Sequence, residues 1–414
     1  MTSGHPIPLG RASDLCDQLI ALLALAAPGL HTLEAAGDLR RVEPLAESIV
    51  MVGASHDPLS TIDDISRAFD SGDIVERSGA QLLASFRGVV VDIRVARPSE
   101  VGSLLFHATG SAHHIHQIVA RGLDDRAYET EAALYASVGL PLVAPELRHG
   151  TGEVEAALGG SLPSLVEIGD IRGDLHMHTT YSDGRDALST MVERCHAIGY
   201  EYIAITDHSW GAGAARTLAI DEIPRQRDEI EMLRSRYPSM AILHGVEVDI
   251  HAGGHLDFPD DILEGFDIVL ASLHDRAGHD GVRLTERSLR ALRHPLVNVL
   301  CHPANRLVGR SHGYPLDFVA LYEAAAETGT ALEVDGAPSH IDLDGERVRD
   351  AIAAGVTLTV DSDCHRVEAL EAQMRFGVGT ARRGWVQARH VLNTRPLADV
   401  LEFVAAKRAG RPIR

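Results

Sequence analysis

The sequence has almost no lysine. Lys407 stands alone beside 37 arginines in 414 residues, a bias that by itself carries no functional reading. Paired cysteines are also missing. Cys16, Cys195, Cys301 and Cys364 are widely spaced with no CxxC pair, which fits reduced thiols in a cytoplasm. No apolar run reaches about 18 residues, which excludes a membrane-spanning helix. The apolar stretch "LIALLALAAPGL" at 19–30 has no charged segment before it, which argues against a secretory signal. Positive charge is scarce overall: the formal net charge is −21. The field of such a chain does not attract polyanions, so phosphate chemistry would need local positive charge, from bound metals or clustered arginines. What is present is a 45% hydrophobic composition, enough for a substantial core, and a length that suits two domains. The number that stands out is 23 histidines.

The two halves differ in pattern. In the first, Leu15, Leu19, Leu22 and Leu23 predict a helix over 13–27. Strand-like runs follow at 48–55, 80–86 and 88–96, with helical segments near 61–69, 100–121 and 128–138. This is mixed α+β, assigned to residues 12–147. A glycine-rich stretch at 148–171 reads as a linker. From 172 to 414, short apolar runs alternate with helices. The runs are "DLHMH", "YIAIT", "MAILHGVEV", "DIVLAS", "LVNVLC", "TALEVD" and "VTLTVD". Seven strands alternating with helices predict a parallel α/β fold, a (β/α) barrel.

Metal-binding residue types gather at the ends of these runs. His176 and His178 close the first, and Asp207 and His208 follow the second. Glu247, His274 and His302 sit on or just past later runs, and Asp363 and His365 follow the last. In a parallel barrel all C-terminal strand ends share one rim, so these residues would converge. Imidazole nitrogens with carboxylate oxygens suit zinc, manganese or iron. Nine such side chains are too many for one ion and would serve two or three, an arrangement able to activate water and clamp a phosphate. His5, His31, His56, His149 and His390 fall outside the pattern, and His244, His251 and His255 stay ambiguous. Cys301 and Cys364 adjoin expected ligands, but strand alternation points neighbours to opposite faces, so small buried packing is expected of them.

The motifs "DLHMHTTYSDG", "ITDHS", "GVEVDI", "ASLHD", "CHPANR" and "DSDCH" occur in that order. As a set they resemble the polymerase and histidinol phosphatase (PHP) domain. The resemblance implies a distorted seven-stranded barrel with a metal cluster, usually of three ions. By matched position it implies the ligands His176, His178, Asp183, His208, Glu247, His274, His302, Asp363 and His365. Asp183 enters only through the resemblance. "HPANRLVGRSHGYPLD", the junction upstream of 172, "AGDLRR" at 36–41, "TGS" at 109–111 and "GVVVDIRVA" resemble bacterial family X DNA polymerases, which carry this domain C-terminally.

The first half departs from that pattern. Where the family places a G-D-x-D run, this chain has "AESIV", with Glu47 near the first aspartate and Ile49 in place of the second; only Asp92 fits. An isoleucine cannot hold a cation, so a two-magnesium polymerase site is not expected. Residues 1–170 carry 11 arginines against 23 acids, the wrong sign for gripping DNA. The family's N-terminal DNA-binding domain is also not represented. The expectation is a polymerase-derived module without polymerase activity, followed by a metal-dependent phosphoesterase. Arg306 and Arg310, four and eight residues past His302, are candidates to grip phosphate oxygens. Asp207 is a candidate to orient a ligand or transfer a proton. The substrate is expected to be a phosphate ester, such as a DNA 3′ end taken by a 3′→5′ exonuclease or 3′-phosphatase. A small-molecule or nucleotide phosphatase, a working polymerase and a non-catalytic repair scaffold are the alternatives.

Overall fold

The structure is a computed structural model that describes residues 6–213, 216–275 and 277–411. The chain divides into two compact units, 1–163 and 164–414. Among the described residues no helix is long and apolar enough to cross a membrane.

The first unit opens with a helix, Leu9–Ala26, that buries Leu9, Ala12, Leu15, Cys16, Leu19 and Leu23 at helical spacing. Seven strands follow the α+β reading: β1 (Ile7–Pro8), β2 (Thr32–Ala36), β3 (Leu45–Ala46), β4 (Ile49–Ala54), β5 (Ile74–Ser78), β6 (Gln81–Phe86) and β7 (Val89–Ala96). Five of them form one sheet in the order β2-β4-β7-β6-β5, with β4 and β7 parallel at its centre. β2 and β5 were not expected. Both are edge strands; β5 is mostly exposed and carries no apolar alternation, while in β2 only Leu33 and Ala35 alternate inward, too short a signal to stand out. The expected helix at 100–121 is two helices, Val101–Thr109 and Ala112–Val119. The break falls at Gly110, where Ser111 Oγ accepts from His114 N and caps the second helix.

The sheet register corrects the reading of Ile49. Ile49 pairs with Val91, and both point into the unit's core. The residue beside Asp92 is Val50, and paired neighbours on adjacent strands share a face. The position facing Asp92 is therefore filled by an aliphatic side chain, one residue later than expected. The Asp92 carboxylate instead takes hydrogen bonds from Arg94 Nη2 (2.6 Å) and Gln81 Nε2 (2.7 Å). The stretch 148–171 contains a helix, Glu153–Leu158, and a fully buried Arg148 paired with Glu131.

In the second unit seven parallel strands lie in sequence order: β8 (Gly173–Asp174), β9 (Tyr202–Ile205), β10 (Ala241–Asp249), β11 (Ile268–Ser272), β12 (Val299–Leu300), β13 (Ala331–Asp335) and β14 (Leu358–Asp361). Helices connect them, as expected for a parallel (β/α) barrel. β8 and β14, at opposite ends of this order, meet without a regular ladder. Asp174 Oδ1 accepts from Ser362 N (3.2 Å), and Asp361 Oδ1 accepts from Leu175 N (2.8 Å). Two buried carboxylates thus stand in for backbone carbonyls across the seam, and a single bridge, Met177 with Cys364, completes it. Burial raises both carboxyl pKa values, Asp174 to about 6.

Strand parity builds the interior. Tyr202, Ala204, Leu243, Ile268, Leu270, Val299 and Ala331 form one apolar cluster with Val400, Phe403 and Val404 of the last helix, Leu397–Arg408. Two-residue steps along the same strands lead from this floor to Thr206, Glu247, Ser272, Cys301 and Glu333. The helix-facing parity builds the larger outer core, with Ile203, Ile205, Val246, Val248 and Val269.

Candidate metal centre

The residues beyond the strand ends converge. Three groups of donor atoms each lie within 4.8 Å of one another: His176, Glu247, Cys301 and His302; His178, Asp183, His208 and His365; and His176, His178 and Asp363. The third group shares a member with each of the others. Donors about 2.0–2.3 Å from one ion are spaced on this scale. The imidazoles of His365, His178 and His208 stack in a column, with centroids 4.2 and 4.3 Å apart. His178 Nε2 lies 3.0 Å from Asp363 Oδ1 and 3.1 Å from His176 Nε2.

Two of these residues occupy left-handed backbone conformations that non-glycine residues rarely adopt: His302 at φ 28° and Asp363 at φ 49°. At His302 the turn corrects the expectation for its neighbour. Alternation would send Cys301 and His302 to opposite faces. Instead Cys301 Sγ lies 3.4 Å and His302 Nε2 3.0 Å from the same oxygen, Glu247 Oε1. Cys301 is buried as expected, and it also touches the cluster. Burial, reinforced by the Glu247 charge, holds its thiol pKa well above the usual value.

The other expected residues fall in different places. His274 lies beside the cluster, its ring 5.2 Å from that of His302, with Nδ1 near Asp249 Oδ1 (3.3 Å) and Ser272 Oγ (3.3 Å). Asp207 is fully buried and accepts from Thr179 N and Oγ1, Ser182 N and Oγ, and Gln226 Nε2. Through these five donors it fixes the 179–182 loop that carries the chain to Asp183. Arg306 is not at the cluster. Left-handed turns at His302 and Asn305 redirect the chain, and its guanidinium donates to His340 O and Asp344 Oδ2. Arg310 is exposed in the turn Leu307–Ser311. His244 bonds Gln226 Oε1 (2.9 Å), and burial, with Arg227 nearby, lowers its pKa to about 4.

One residue of the site, Glu333, was missed, and two arginines close to the site along the chain were not singled out. Glu333, fully buried, sits 2.6 Å from His176 Nδ1 and accepts from His302 N (2.7 Å). It fixes the His176 ring so that Nε2 faces the cluster, the usual role of a carboxylate behind a ligand histidine. The available signal was a carboxylate inside an apolar strand run, which is costly unless paired. Arg185 and Arg366 are exposed and have no side-chain partner among the described residues. Arg185 N bonds His365 O (2.7 Å), and Arg366 follows His365. Proximity to ligands in sequence could have found both.

The donor set fits divalent cations. Asp183 Oδ1 and Glu247 Oε2 are buried with histidine nitrogens against them, His365 Nε2 at 3.3 Å and His208 Nδ1 at 2.5 Å, the donor types that would share a divalent ion with these carboxylates. Burial would raise the pKa of Glu247 and Asp363, yet the surrounding histidines hold both well below the usual carboxylate range. Burial would lower His302 and His365, yet Glu247 and Asp183 respectively lift them to about 9. The buried carboxylates thus draw positive charge to the cluster, a charge that divalent ions on the same donors would supply.

Residues 174–304 match the PHP domain. The DNA polymerase/3′-5′ exonuclease PolX of Bacillus subtilis (strain 168) is 36% identical over 393 residues, 89% of this chain and 68% of its own length. The chain belongs to the PolX family. A probable phosphatase of Caldanaerobacter subterraneus subsp. tengcongensis is 30% identical over 210 residues, 46% of this PolX-family chain and 75% of its own length. The histidinol phosphate phosphatase of Lactococcus lactis, solved with zinc, L-histidinol and phosphate, covers 51% of this chain at 18% identity with a TM-score of 0.42. This member of the PolX family is a metal-dependent phosphoester hydrolase with a multinuclear metal centre.

Proposed function

We propose that this chain hydrolyses phosphoester bonds at the 3′ ends of nucleic acid, as a 3′→5′ exonuclease or 3′-phosphatase, and does not polymerise. The observation that carries the hydrolytic site is the convergence of three donor groups that share His176 and His178. His176, His178, Asp183, His208, Glu247, His274, His302, Asp363 and His365 would hold two or three zinc, manganese or iron ions. Such ions supply Lewis acidity toward phosphate oxygens and acidify the attacking water. The protein's own residues do the rest. Glu333 holds the His176 tautomer, and Asp207 holds the loop leading to Asp183. Arg185 and Arg366, which adjoin His365, would take the place of Arg306 and Arg310 in gripping phosphate oxygens bidentately.

Two observations support the assignment to nucleic acid ends: the likeness to a relative named as a 3′-5′ exonuclease over most of the chain, and the unpartnered arginines beside His365. The loss of polymerisation is supported by Val50 facing Asp92, and by Arg94 holding that carboxylate. The net charge of −21 favours a small phosphate ester instead, so the test must divide the two. Purified protein is expected to carry two to three equivalents of metal by elemental analysis. It is then offered p-nitrophenyl phosphate, bis(p-nitrophenyl) phosphate, 3′-labelled single and double strands, and a primed template with dNTPs. Release of 3′ nucleotide or phosphate without primer extension is expected. His208→Ala and Asp363→Ala should abolish turnover with unchanged circular dichroism, and undiminished rates in both would refute the site. Turnover of the small monoester alone would transfer the assignment to a phosphatase.

A further inference from the structure

We propose that Trp210, backed by His251 and His255, is a stacking platform for the base of the nucleotide whose phosphate enters the metal centre. The inference rests on the nucleic-acid reading above and names its recognition element. Trp210 is 56% exposed. Of the chain's two tryptophans, the other, Trp385, packs under the Arg349 guanidinium at 4.2 Å. Trp210 lies two residues past His208, and the backbone on each side of it is pinned. Ser209 N donates to Glu247 O (2.9 Å), and Gly211 N donates to Asp257 Oδ2. A Cβ at Gly211 would stand 2.5 Å from Asp257 Oδ1, so the close approach of that carboxylate requires glycine. The same Asp257 holds His251 Nε2 at 2.7 Å. The His251 ring lies 5.7 Å from that of Trp210 and stacks on His255 at 4.7 Å and 24°.

Trp210 is therefore held in place by hydrogen bonds to its neighbours rather than by apolar packing around its ring. Its indole, more than half exposed, follows His208 by two residues, and a tryptophan left so open forgoes the burial its large apolar ring would gain. A planar ring presented there suits another planar ring. A chain this acidic gains little from long-range attraction to a polyanion, whereas base–aromatic stacking needs no net charge and tolerates any base. The platform supplies a hold on a nucleotide that the overall electrostatics do not.

Two measurements on the metal-loaded protein test this. In the first, tryptophan fluorescence is titrated with dAMP and with ribose 5-phosphate. Quenching by dAMP alone, lost in Trp210→Phe, is expected, and no quenching by dAMP overturns the platform. In the second, KM and kcat are compared on single strands with an ordinary or an abasic 3′-terminal nucleotide. Trp210→Ala should raise KM on the ordinary end by about five- to 150-fold with kcat nearly unchanged, the range expected from losing one stacked base. It should leave the abasic end unaffected, and Trp210→Phe should restore most of the loss. Equal KM for wild type and Trp210→Ala on the ordinary end overturns the inference while the 3′-end reading stands. Quenching by dAMP with no strand degraded supports the platform and overturns the 3′-end reading in favour of a free nucleotide.

Discussion

At the scale of single residues, the metal centre depends on side chains that never reach it. Glu333 uses one oxygen on His176 Nδ1 and the other on His302 N, so one carboxylate sets the orientation of two cluster members. In Glu333→Gln the amide can keep only one of these contacts in its original sense, and the negative charge behind His176 is gone. Metal affinity should fall by about 10–100-fold. Dialysis against graded chelator, followed by elemental analysis, measures it; a retention curve matching wild type would reduce Glu333 to a packing role. The convergence of His176, His178, His208, His302, Asp363 and His365 was legible because each lies at or just past the end of an apolar run, and a parallel barrel puts all such positions on one rim. Glu333 was not, because it lies inside its run, where the only clue is the cost of burying a carboxylate. The arginines failed for a different reason. Separation in sequence from His302 says nothing about chain direction after two left-handed residues, and those turns carry Arg306 to Asp344.

At the scale of elements, the barrel strands were legible because they are buried on both faces and read as unbroken apolar runs. The edge strand β5 carries no such signal. The seam between β8 and β14 was hidden too, since Asp174 and Asp361 act there as backbone surrogates and resemble surface residues in sequence. The last helix adds a contact with a measurable consequence. Lys407 Nζ donates to Leu292 O (2.6 Å), which also accepts from Thr330 Oγ1 (3.0 Å), in the last turn of the helix Gly281–Arg293, where the helix dipole is negative. Burial nonetheless lowers the Lys407 pKa from 10.5 to about 8. Below that value both folded and unfolded chains carry the proton, and the burial cost is fully present. Between it and the ordinary lysine value the unfolded chain binds more protons, so stability rises with pH. The stability of wild type relative to Lys407→Met should increase by about 2 kcal/mol from pH 7.5 to pH 10. Urea unfolding of both proteins at the two pH values provides the check, and a constant difference would show that the ammonium is not buried at cost.

At the scale of the whole molecule, the two units have separate cores. The clusters of the barrel unit draw only on residues from Val166 onward, and the sheet unit's main clusters end at Leu105. Every member of the three donor groups lies between His176 and His365. The carboxylates that close the barrel and the helix that fills its floor also belong to 164–414. A unit with its own core and all of its ligands meets the physical conditions for independent folding. Residues 164–414 produced alone should therefore fold cooperatively and take up the same metal equivalents as the full chain. They should turn over bis(p-nitrophenyl) phosphate with kcat/KM within about threefold of the full chain, because every member of the three donor groups is retained. Thermal unfolding, elemental analysis and steady-state kinetics on the shortened chain provide the test. If it bound metal normally but lost most of its activity, the sheet unit would contribute to catalysis itself. If it failed to retain metal, the separation of the cores would not extend to the energetics of the site.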